Sequence, residues 1–242
     1  MANFLKLILG YAYGPIRERL IFFIKKNFLR ASFSLNKLDK KLEKYVDFDQ
    51  GFFVELGAND GITQSNSLYF ELKRNWRGVL IEPSPHNFQK CVANRGLNNY
   101  IFCNACVGFE YKDKYVDMID ANLMSISNNL DLDLSNKKFH IEQAKKYLKN
   151  NEKVCSYGAK SRTLNDILDE AKAPDIIDFL SLDVEGAELE VLKGINFSKY
   201  NFKYLLIEVR DLKRMQSFLK KYNYFLIDQF SSHDYLFKYS QK

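Results

Sequence analysis

GFFVELGANDG, residues 51–61, is the stretch whose reading decides the fold. A short apolar run ends at Leu56, and Gly57 and Gly61 then bracket Asn59 and Asp60. That is the pattern of a buried strand closed by a tight glycine loop. Working outward, SNSLYFELKRN (65–75) reads as a helix, RGVLIEPSP (77–85) as a strand stopped by Pro83, and HNFQKCVANRG (86–96) as a helix ended by Gly96. NYIFCNACVG (99–108) is a third strand. IIDFLSLDVEG (176–186) and FKYLLIEVR (202–210) are further strands, each followed by a helix, and YFLIDQF with DYLFKYS (224–240) forms a terminal strand pair. Continuous hydrophobicity in VLIE, DFLSLD and LLIE marks strands buried on both faces. Strands of this kind alternating with helices predict a doubly wound, mostly parallel α/β sheet.

The rest of the chain reads as additions to that sheet. Of 242 residues, 46% are hydrophobic and 15% aromatic, which excludes disorder, collagen and coiled coil. The net charge of +6 is unevenly divided. Residues 1–45 hold ten Lys/Arg against three acids, giving +7, so the other 197 residues sum to −1. A near-neutral main domain argues against a polynucleotide substrate. Residues 1–48 read as a helical extension, with a basic amphipathic helix over 16–30 and a polar helix over 34–48. The apolar stripe of the first either packs on the domain or makes peripheral contact with a membrane through residues 1–30. The domain proper is expected at 49–242. Residues 107–160 interrupt its rhythm: YKDKYVDMID (111–120) reads as a strand or hairpin, and 134–153 as a polar helix of a substrate-side lid. Cys103 and Cys106 form a lone CxxC in an apolar run, without a second pair at zinc spacing, so reduced thiols and a cytoplasmic compartment are expected.

Ligands of a doubly wound sheet bind beyond the carboxyl ends of the strands. The first strand brings Glu55, Gly57, Asn59, Asp60 and Gly61 there. This spacing is GxxxG, whereas a dinucleotide enzyme needs GxGxxG to seat its pyrophosphate on a helix N-terminus. Carboxylates suit a cofactor with ammonium and sulfonium groups, such as S-adenosylmethionine. Glu82, at the end of the second strand, is placed to accept a ribose diol, or else is a helix N-terminal acid.

VELGANDGITQSNSLYFE, NWRGVLIEPSP, CNACVG, RTLNDIL and FLSLDVEGAELEVLKG, in this order, resemble FkbM-type S-adenosylmethionine-dependent methyltransferases. The resemblance covers roughly residues 50–238. It implies the class I methyltransferase fold, a seven-stranded sheet with an antiparallel terminal strand. It also implies cofactor contacts at Glu55, Gly57, Asn59, Gly61, Glu82 and, near the adenine, Asn104. Ser65 and Asn66 match the pattern either as cofactor contacts or as the cap of the following helix.

Methyl transfer to a hydroxyl needs alignment and a proton acceptor. Asp183, Glu185 and Glu208, at strand ends beside the cofactor, are the candidates, provided burial or a like charge raises their pKa. Alternatively, Asp183 and Glu208 hold a divalent metal, though two acids are an incomplete ligand set. Glu185 and Glu188 also read as helix caps, and His233 as an outside candidate for the base. Asp183-Val184-Glu185-Gly186 stands where amino-group methyltransferases of nucleobases carry Asn/Asp-Pro-Pro-aromatic, so a hydroxyl acceptor is expected. The resemblance adds sugars and glycans as acceptors. The rivals are a non-catalytic module on the same fold and an NAD-type oxidoreductase.

Overall fold

The structure is a computed structural model, which describes residues 32–96, 98–120, 126–127 and 155–240. In chain order the helices are α1 (Leu38–Leu42), α2 (Leu68–Arg74), α3 (Pro85–Arg95), α4 (Leu164–Glu170), α5 (Glu188–Leu192) and α6 (Leu212–Lys220). The strands are β1 (Phe52–Leu56), β2 (Arg77–Ile81), β3 (Tyr100–Phe102), β4 (Ala105–Cys106), β5 (Tyr115–Asp120), β6 (Ile126–Ser127), β7 (Cys155–Arg162), β8 (Ile176–Leu182), β9 (Asn201–Glu208), β10 (Tyr224–Gln229) and β11 (Asp234–Tyr239).

Seven of these strands form one sheet in the order β10-β11-β9-β8-β1-β2-β3. The pairs β3–β2, β2–β1, β1–β8 and β8–β9 are parallel, whereas β11 runs antiparallel to both of its neighbours. This is the class I methyltransferase sheet expected above. Alternate strand residues face opposite layers. Val54, Leu56, Val79, Ile81, Leu180, Leu182, Leu205 and Ile207 pack with α4, α5 and α6. Phe53, Leu80, Phe179, Leu206 and Leu236 pack with α1, α2 and Cys91 of α3. Two of the helices start on side-chain caps: Thr163 accepts from Asp166 N at 3.1 Å and Asp211 from Arg214 N at 3.0 Å.

Three readings change. The third strand is split. β3 pairs with β2, then Cys103–Asn104 carries the chain across to β4, which pairs with β7. A second sheet of order β4-β7-β5-β6 results, so 115–120 is a strand of a ribbon and 155–162 belongs to that ribbon too. The stretch read as a polar helix over 34–48 is a 3₁₀ turn followed by the short α1, and Leu38, Leu42 and Val46 of it are core. Leu42 and Val46 are fully buried against Phe53, Phe70, Trp76 and Phe230. Asp39 is buried as well, and its carboxylate accepts from Phe33 N at 2.7 Å and Lys40 N at 2.8 Å. Polar-looking sequence misleads here because Lys40, Lys41 and Lys44 surround an apolar i, i+4, i+8 row. The basic helix over 16–30 and the helix over 134–153, with His140, Lys145, Lys146, Lys149 and Lys153, lie outside the described residues.

Candidate active site

Strand order reverses on either side of β1, so the carboxyl ends of β1 and β8 flank the switch point where ligands of such sheets bind. The loop after β1 is drawn tight against β8. Gly57 has φ +77°, and a Cβ there would lie 2.0 Å from the Asp183 carbonyl oxygen, so only glycine fits. Both Gly57 N and Ala58 N donate to Ile81 O at 3.1 Å. Asn59 also has positive φ, +48°, and its N–H donates to Glu82 Oε2 at 2.8 Å.

The acids expected to grip the cofactor turn out to shape its loop. Asp60 is spent on its own turn: Oδ1 accepts from Ile62 N and Thr63 N at 2.9 and 2.7 Å, and Oδ2 from Thr63 Oγ1 at 2.8 Å. Glu55 is buried and receives Ser65 Oγ at 2.9 Å, Asn66 N at 2.7 Å and Ser67 Oγ at 2.5 Å. A buried carboxylate has to collect donors, and Glu55 finds them in the far arm of the same loop. Glu55 therefore latches the loop. Glu82 bridges two turns, accepting from Asn59 N and, at 2.9 Å, from Ser84 N. A carboxylate oxygen has room for two hydrogen bonds, so this bridge leaves its position compatible with a ribose diol.

Ser65 serves the helix. It is buried, and its Oγ accepts from Leu68 N at 3.1 Å as well as donating to Glu55. Asn66 does not cap. Its Nδ2 donates to Ser181 Oγ at 2.9 Å, while Oδ1 is sealed from solvent without a hydrogen-bond partner among the described residues. Asn104 sits in the crossing between the two sheets, buried, with Nδ2 donating to Lys160 O at 3.0 Å.

Beyond β8 and β9 the acids gather as expected, and two more join them. One carboxylate oxygen from each of Asp183, Glu188 and Glu208 lies within 4.8 Å of the others. Asp234 opens β11 directly opposite Glu208 in the antiparallel register. Glu185 has φ +57°. Arg210 Nη2 is 2.9 Å from its carboxylate and 3.7 Å from that of Glu208. Glu208 Oε2 has no hydrogen-bond partner among the described residues. Glu188 also serves the turn, accepting from Val184 N at 3.1 Å and Gly186 N at 3.0 Å.

The crowding shows in the proton affinities. Asp183 opens to solvent, but the protein around it and then the charges of Glu208, Glu185, Glu188 and Asp234 raise its pKa well above the usual carboxylate range. Burial and Glu208 push Glu185 up to about 8, with Arg210 pulling the other way. Burial pushes Glu188 up to about 7 against its backbone hydrogen bonds. The oxygen spacing of Asp183, Glu188 and Glu208 would also suit a divalent cation, a fuller set than the two acids foreseen. Asp234 was missed because its place beside Glu208 depends on strand register. His233 is exposed, and its N–H donates to Ser231 Oγ at 3.1 Å.

The Methyltransferase FkbM domain model matches residues 55–237. The chain belongs to the FkbM methyltransferase family. S-adenosylmethionine is accordingly its cofactor, and the loop fits that ligand: the buried Asn66 Oδ1 is an acceptor lacking a donor among the described residues, which the ligand's amino groups can supply. No curated protein sequence matches the chain. Among solved structures, human methyltransferase 10 domain containing protein shares 11% identity, covering 98% of this chain and 93% of that one, with TM-score 0.43. Precorrin-6y C5,15-methyltransferase from Geobacter metallireducens shares 11%, over 83% and 85%, at 0.42. M. capricolum TrmK, solved with S-adenosylhomocysteine, shares 13%, over 87% and 68%, at 0.39. None of these reaches a TM-score of 0.5, and family membership rests on the domain match.

Proposed function

We propose that this FkbM methyltransferase transfers the methyl group to a hydroxyl of a sugar or glycan. The observation that carries the reading is the acidic pocket itself, set against the cofactor loop through the contact between Gly57 and Asp183. The cofactor supplies an electrophilic methyl. The chain's part is to orient the acceptor hydroxyl and take its proton. An ordinary carboxylate is too weak a base for that, whereas a carboxyl group raised well above its usual range, as Asp183 is, is a stronger one. Asp183, the solvent-facing member, is the proposed proton acceptor. Glu208 and Glu185 share the charge behind it, with Arg210 as their counter-ion.

A methyl-transfer screen with labelled S-adenosylmethionine over nucleotide sugars and cell-surface glycans tests the proposal. Labelled hydroxyls, lost roughly 100-fold or more in Asp183→Asn, would support it. Binding of S-adenosylhomocysteine without turnover of any hydroxylated glycan would instead favour the non-catalytic module. A chelator arm addresses the cation reading, since activity lost to chelation and restored by Mg²⁺ would assign Asp183, Glu188 and Glu208 as ligands. The free thiols of Cys91, Cys103 and Cys106 support a reducing, cytoplasmic setting. Among the described residues no helix is long and apolar enough to cross a membrane. Peripheral contact through residues 1–30 remains part of the proposal, tested by liposome co-sedimentation.

A further inference from the structure

Arg95, the last residue of α3, is buried to 2% exposure beneath the cofactor loop. It reads in sequence as an ordinary basic residue before a helix-ending glycine. In the structure its guanidinium ties four segments together. Nε donates to Glu71 Oε2 of α2 at 2.5 Å, and Nη1 donates to Gly61 O at 3.0 Å and Ser65 Oγ at 3.2 Å. Nη2 donates to Ser67 Oγ at 3.0 Å, and Glu55 of β1 stands 3.8 Å from Nη1. Its stem fills the space at Gly61, where a Cβ would come within 2.7 Å of Arg95 Cγ. Asn99 closes the far side, donating to Glu71 Oε2 at 2.8 Å and to Arg95 O at 3.0 Å.

A buried guanidinium is tolerated only when its donors are paired, and three of its four acceptors here belong to the loop. Glu55 grips Ser65, Asn66 and Ser67 from one side while Arg95 grips Gly61, Ser65 and Ser67 from the other. The arm from Gly61 to Ser67 is thus held in shape before any ligand arrives, including Asn66 with its donor-seeking Oδ1. Holding a loop in its bound form raises affinity by removing an ordering cost, without adding a contact. We infer that Arg95 is a positioning residue that sets the affinity for S-adenosylmethionine through the loop between Gly61 and Ser67. This rests on the methyltransferase reading of the site. Lysine cannot substitute, because one ammonium on a flexible stem cannot span this fan of acceptors.

Calorimetric titration of S-adenosylhomocysteine into wild type, Arg95→Lys, Ser67→Ala and Glu71→Gln tests the inference, with activity measured at saturating cofactor. Arg95→Lys should weaken binding roughly tenfold or more while kcat at saturation stays within about threefold. Ser67→Ala should weaken binding less, and additively less in the Arg95→Lys background. Glu71→Gln, which keeps an acceptor for Nε but removes its close counter-charge, should weaken binding less than Arg95→Lys. Hydrogen exchange at Asn66 N, bonded to Glu55, should quicken in Arg95→Lys without ligand. If Arg95→Lys is unfolded, Ser67→Ala alone carries the test. Wild-type affinity in both variants, or affinity and kcat falling in step with melting temperature, would overturn the positioning role. A wild type that does not bind S-adenosylhomocysteine would overturn the methyltransferase reading itself.

Discussion

Asp183, Glu185, Glu188, Glu208 and Asp234 crowd into a space where Arg210 reaches only Glu185 and Glu208. Since the base must be deprotonated to act, raised carboxyl pKa values place the rise of activity at neutral rather than acid pH. We expect kcat/KM to climb over a limb displaced well above the usual carboxylate range, with the apparent value belonging to the cluster as a whole. Asp183→Asn should flatten that limb. The raised groups, Asp183, Glu185, Glu188 and Asp234, also set the pH dependence of stability. With folded-state values above those of the unfolded chain, the folded protein binds more protons between about pH 4.5 and 8. Stability is therefore greatest on the acid side of that window and falls as pH rises through it, because the native state must then hold unwanted charge. Glu185→Gln should lessen the fall in melting temperature between pH 6 and 9. Gly57→Ala forces a side chain into a left-handed backbone and against Asp183 O, so it should cost about 2 kcal/mol or more in urea unfolding. Residue identity was readable in the sequence here and residue role only partly. Strand-end acids stand out in a string, but whether Glu55 faces a ligand or Ser65 and Ser67 depends on how the loop folds back. The hub formed by Arg95 joins residues 24 to 40 positions away and leaves no local signal.

Strands and helices of the main sheet were legible because each buried run is continuous and each is punctuated by Gly, Pro or a cap. The break after β3 was not, since a crossing made by Cys103 and Asn104 within IFCNACV carries no Gly or Pro. α1 was misread as polar for a related reason: three buried positions suffice to seat a short helix whose remaining residues face water. Leu42→Ala should therefore cost about 2–4 kcal/mol despite lying outside the matched domain. Trp76, the sole tryptophan, reports on this docking. It is buried between Phe48 and Phe70, and its Nε1 donates to Phe48 O at 2.8 Å. Its fluorescence should shift to the red in Leu42→Ala well before the rest of the chain unfolds.

On the scale of the molecule, two faces of one sheet carry different duties. Helices α4, α5 and α6 seal one face, while α1, α2 and α3 cover the other and hold the cofactor loop from beneath. The surplus of positive charge sits in the first 45 residues, and α1 pins the end of that segment to the sheet. Lys41 of α1 donates to Phe230 O, in the turn between β10 and β11. β11 lies between β9 and β10 although it follows both in the chain. During synthesis, β9 and β10 leave the ribosome with the slot between them vacant. Asp234 joins the acid cluster only when that slot is filled, so a nascent chain stopped short of residue 234 carries the glycine loop without a finished acidic wall.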